Sequence, residues 1–158
     1  MKLPILSILL LILLTSVSVA SELDTREAAP AATSAAAGES ASAESPSALY
    51  KTGVELRDKG EYEDAAAYFY AAARRGYHVA EVELAFLHTA EDSPVRDDPV
   101  GYAWFALALK HETNEKLQAT LKSNLLKVRA RMSDAEKTRA KRLRIALDKN
   151  LGDVQQIE

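Results

Sequence analysis

The chain has 158 residues, 47% of them hydrophobic and 27% charged, with a net charge of -3 and no cysteine. That length suits one domain. The missing cysteines exclude a disulfide-stapled secreted scaffold, a cysteine-rich zinc site, a cysteine nucleophile and a lipidated N-terminal cysteine. Six Gly and five Pro are too few for a sandwich dense in turns, and the wealth of Ala, Leu, Glu, Lys and Arg favours helices.

The N-terminus has the three-part layout of a secretory signal peptide. Lys2 is basic, Ile5 to Leu14 is apolar except for Ser7, and Ser18-Val19-Ala20 places small residues before a cleavage site after Ala20. The competing reading is an uncleaved inner-membrane anchor. Leu3 to Ala20 is only just long enough to span a bilayer, and the next charges, Glu22 and Asp24, are acidic. An exported, periplasmic protein is therefore expected. Residues 21–47 follow as an acidic linker rich in Ala and Ser, without an aromatic residue or an apolar stripe to bury. Such a segment is expected to be disordered and to act as a tether.

From residue 48 to 148 the pattern becomes helical. Leu49, Gly53 and Leu56 share helical spacing, Gly60 breaks the chain, and Glu61-Tyr62 opens a second helix. Ala65, Phe69 and Ala72 lie on one face of that helix, which Gly76 ends. Ala80 to Leu87 is a third helix with Leu84 and Leu87 inward. Asp97-Asp98-Pro99 starts a fourth, which carries Trp104, Phe105 and Ala108. Phe69 to Phe105 and Ala72 to Ala108 are both separated by 36 residues, the period of a repeated helical hairpin.

The first hairpin resembles a tetratricopeptide repeat through Gly53, Gly60, Tyr62, Ala65, Phe69 and Ala72. The second resembles the Sel1-like variant. It reads Ala80, Leu84, Ala85 and Leu87, then Asp98-Pro99-Val100-Gly101-Tyr102-Ala103-Trp104-Phe105-Ala106-Leu107-Ala108. Ala85 stands where that family usually has Gly, and Gly101 where it usually has Ala.

Two further helices close the domain. Leu117, Leu121, Leu125, Val128 and Met132 form one apolar stripe. Ser133-Asp134-Ala135-Glu136 is a capping box, and Ala140, Leu143 and Leu147 carry the next stripe. The expected architecture is all-α: a short α-solenoid of two Sel1/TPR-like hairpins capped by a C-terminal helix pair, with residues 149–158 as a tail.

The resemblance implies a non-catalytic scaffold or adaptor that binds a peptide or partner protein on the concave face. By motif position the groove residues are Tyr50, Val54, Arg57 and Asp58, with Val82, Phe86 and Thr89 as their second-repeat equivalents. The alternative rests on charge. Residues 49–109 carry 6 basic and 11 acidic groups, whereas residues 110–149 carry 12 basic and 5 acidic ones. Lys137, Arg139, Lys141, Arg142 and Arg144 are the candidates for holding an anionic envelope lipid or cell-wall polymer. Nucleic acid is not expected as a partner of an exported chain.

No nucleophile motif or phosphate loop is present, so no enzymatic activity is expected. His78, His88 and His111 form no ligand motif, and each is expected to face solvent or sit in a loop. No metal and no cofactor is expected.

Overall fold

A computed structural model describes residues 44–152. The expected signal peptide, nearly all of the linker and residues 153–158 lie outside the described residues. The described chain is all-helical, with six helices and no strand: α1 Pro46–Asp58, α2 Tyr62–Ala73, α3 Val79–Leu87, α4 Asp98–His111, α5 Glu115–Arg131 and α6 Asp134–Gly152. Among these residues no helix is long and apolar enough to cross a membrane.

The helix ends follow from local chemistry. Ser45 Oγ accepts a hydrogen bond from the Ala48 amide at 3.2 Å. Pro46 occupies the first helical position, where its missing N–H is no loss. The helical domain thus begins two residues before its expected start at residue 48. Gly60 and Gly76 adopt positive φ angles of 83° and 78°. Each closes its helix with the paired bonds of a Schellman turn: Gly60 N to Arg57 O with Glu61 N to Leu56 O, and Gly76 N to Ala73 O with Tyr77 N to Ala72 O. Asp97 Oδ1 caps α4 at the Val100 amide, and Asn114 Oδ1 caps α5. The capping box at the start of α6 is reciprocal. The Glu136 carboxylate accepts from the Ser133 amide at 2.7 Å, and Ser133 Oγ accepts from the Glu136 amide at 3.3 Å.

Leu49, Phe69, Leu84, Trp104 and Phe105 are the largest buried apolar side chains. Helix α1 meets α2 at Gly53, where a Cβ would stand 2.7 Å from the Phe69 ring. Tyr70 meets the Trp104 indole edge-on, with ring centroids 5.9 Å apart. Helix α4 is the hub and packs against α3, α5 and α6. Three ion pairs anchor it: Asp97 with Arg139, Asp98 with Arg131, and Lys110 with Asp148. The first and third occur in the same order along α4 and α6, so these two helices run in the same direction.

Two expectations need correction. Leu117 does not join the inward stripe of α5. It lies in the first turn, before the helix reaches the core, and stays 51% exposed, whereas Leu121 and Val128 are buried. Residues 149–152 are not a tail but the last turn of α6, which continues because Leu151 finds a buried place in the core.

Candidate functional site

Helices α3 and α5 form two walls of a groove of about 250 Å³, with the end of α4 as its floor. Val79, Val82 and Phe86 come from α3, Ala108 and His111 from α4, and Leu117 and Leu121 from α5. Five large hydrophobic side chains are exposed among the described residues. Three of these, Val79, Phe86 and Leu117, line this one groove. Phe86 is held from behind by Phe105, edge-on at 5.2 Å, which fixes its ring without covering it. A binding surface is built in this way, from apolar groups that the core positions but does not bury.

One end of the groove is polar. Glu81, in the first turn of α3, is only 1% exposed. A buried carboxylate requires partners, and this one has two imidazoles. His78 Nδ1 lies 3.1 Å from Glu81 Oε1. His111 Nδ1 lies 3.0 Å from Oε1 and 2.9 Å from Oε2. The two rings are tilted against each other with centroids 4.2 Å apart. The three side chains form the metal-competent donor group found among the described residues.

The histidine expectation therefore fails at His111, which is half-buried at the end of α4 and turned towards Glu81. His88 sits in the turn after α3 but is buried there. Its Nδ1 donates to Val95 O at 2.8 Å, while Nε2 has no partner. Burial pushes the His88 imidazole below its usual pKa, against the smaller opposing effects of the Val95 carbonyl and the Asp97 charge. The sequence does contain one local trace of the cluster, His78 and Glu81 at i, i+3. Its third member lies 30 residues further on.

The structure brings some of the candidate groove residues together. Val82 and Phe86 line the groove, and Phe86 also lines a neighbouring pocket with Arg57, Tyr62 and Glu83. Tyr50, Arg57 and Asp58 form a polar knot with Glu83. Arg57 donates to Glu83 at 2.6 Å and to Asp58 at 3.0 Å, and the Tyr50 hydroxyl reaches Glu83 at 3.4 Å. Burial, then the Glu83 charge, raise the Tyr50 phenol above its ordinary pKa. Val54 is half-buried against the core. Thr89 is buried rather than presented on the surface. Its hydroxyl donates to Ala85 O at 2.7 Å and its methyl packs against Gly101.

The basic candidates also divide. Arg139 donates to both Asp97 oxygens, at 3.0 and 2.8 Å, and Lys137 pairs with Asp134 at 3.0 Å. Lys141, Arg142 and Arg144 are exposed. Lys141 and Arg144 border a shallow pocket shared with Tyr102 and Arg129.

No family model matches the chain, and no curated protein and no solved structure is significantly similar to it.

Proposed function

We propose that the chain is an exported helical-repeat scaffold that holds a segment of a partner protein in the groove between α3 and α5. The convergence of Val79, Phe86 and Leu117 on one groove carries this reading. The hairpin reading behind it rests on two supports. One is the 36-residue recurrence of Phe69 and Phe105. The other is the packing of helices α1 to α5 in chain order, each on the next, with α6 laid on α4. This pattern belongs to a short α-solenoid of the Sel1/tetratricopeptide kind, with α5 and α6 closing its end. Export rests on Lys2, the apolar run to Leu14 and Ser18-Val19-Ala20.

The occupant follows from the groove's chemistry. An apolar floor of this size takes one or two large apolar side chains. The polar groups that line the groove are His78, His111, Glu112 and Thr120. A segment with an apolar anchor and few charges fits this lining.

Site-specific photocrosslinking in host cells tests the reading. A crosslinker at Val79 or Leu117 is expected to join the full chain to one protein through a segment with an apolar anchor. A crosslinker at Leu126 or Ile145, exposed but outside the groove, is expected not to. Crosslinks to the chain's own linker, or the same product from all four positions, would overturn it.

A further inference from the structure

From the His78–Glu81–His111 cluster we infer a binding site for a divalent transition-metal ion that prefers imidazole, of the Zn²⁺ or Cu²⁺ kind. Two nitrogens and a carboxylate oxygen on a tetrahedral ion, with bonds of about 2.0–2.2 Å, stand roughly 3.3 Å apart. The two His-to-Glu81 separations are 3.1 and 2.9–3.0 Å, and all three donor atoms lie within 4.8 Å of one another. A small adjustment of exposed His78 brings the set onto one ion. Glu81 is already held in place by burial, and His111 by its position at the end of α4.

Burial strengthens the inference. Two imidazoles sharing one carboxylate that is withdrawn from water make a costly pairing unless a cation or a proton balances the charge. An ion bound by both Nδ1 atoms and Glu81 supplies that charge and ties the start of α3 to the end of α4. The donor set selects the metal. Two borderline nitrogens and one oxygen suit Zn²⁺, Cu²⁺ or Ni²⁺, whereas Mg²⁺ and Ca²⁺ require oxygen-rich shells. Three protein ligands leave a fourth position, and His78 and His111 both line the groove, so that position faces the groove. All three protein ligands come from this chain, so the ion does not require a partner in the groove.

The chain suits a direct test because it has three histidines and no cysteine, and His88 is tied to Val95 O. Zn²⁺ is titrated by calorimetry into the untagged full chain at neutral pH, with Mg²⁺ as the comparison. One equivalent of Zn²⁺ is expected to bind, with Mg²⁺ far weaker. His78→Ala and His111→Ala are each expected to weaken Zn²⁺ by at least about tenfold, the loss that even outer-shell partners produce. His78 is partly exposed, at 43%, so His78→Ala keeps the test open if His111→Ala does not fold. Nitrogen-15 NMR should show the His78 and His111 Nδ1 resonances shifting with Zn²⁺ while those of His88 stay still. The inference is overturned by the absence of stoichiometric Zn²⁺ binding, by undiminished binding in His78→Ala, or by equal affinity for Mg²⁺.

Discussion

Thr89 and Gly101 fit together across the α3–α4 contact: a Cβ on Gly101 would stand 2.2 Å from the Thr89 methyl carbon and 3.0 Å from Ala85 O. Glycine here permits the close crossing of two helices, although its backbone is helical and alanine would favour the helix by about 1 kcal/mol. Gly101→Ala is expected to destabilise the protein, because overpacking costs about 1–3 kcal/mol. Adding Thr89→Ser removes the clashing methyl and should restore part of the loss, but not the part due to the Ala85 carbonyl. Urea denaturation of the single and double variants measures both effects.

Trp104 is fully buried and its indole nitrogen has no partner. Its contribution therefore comes from packing. Trp104→Ala should cost about 3–5 kcal/mol, enough to unfold much of a domain this size. Trp104→Phe sacrifices no hydrogen bond and should retain a cooperative melt. An alanine variant melting within a few degrees of wild type contradicts this placement.

Asp97 caps α4 and receives Arg139 from α6. Asp97→Ala removes both roles and should lower stability by about 0.5–2 kcal/mol, the usual cost of a lost cap. Asp97→Ser retains a capping oxygen but not the charge. It should fall between wild type and Asp97→Ala in chemical denaturation.

His88 makes stability depend on pH. Its folded-state pKa is depressed, while in the unfolded chain the group titrates near ~6.5. Below that value the unfolded chain takes up a proton that the folded site resists. The contribution of neutral His88 is therefore present above pH ~6.5 and is lost as pH falls towards the folded pKa. The loss cannot exceed about 1.4 kcal/mol per pH unit for one proton. Tm should fall between pH 7 and 5, and His88→Gln should flatten that fall. Equal slopes in the two proteins would contradict a buried, neutral His88.

The helix boundaries were the most legible part of the fold because local chemistry fixes them. Gly60 and Gly76 close Schellman turns, Asp97 caps α4, and Ser133 and Glu136 close the capping box. The inward faces of α2 and α4 were legible for the same reason, since helical spacing alone aligns Phe69 with Ala72 and Trp104 with Ala108. The site was less legible because it depends on how helices meet. Glu81 meets His111 only when α4 folds back along α3, and nothing within either helix announces that contact. Thr89 held a groove position by motif register, but Gly101 leaves room for it underneath α4. Arg139 lay within a basic run, and the register of α6 on α4 brings it to Asp97. The exposure of Leu117 follows from its place in the first turn of α5, where a stripe of leucines gives no sign of where the core ends.

Recognition in the groove can be read from a binding isotherm. The segment identified by crosslinking is synthesised and titrated into wild type and into Leu117→Asp, which changes an exposed residue and should leave Tm unmoved. We expect one saturable site in wild type that tolerates moderate salt, with affinity at least about tenfold lower in the variant, as for loss of a central apolar anchor. Equal affinity in the two proteins, or binding that collapses as salt rises, would place recognition on the basic surface of α6 and contradict the groove.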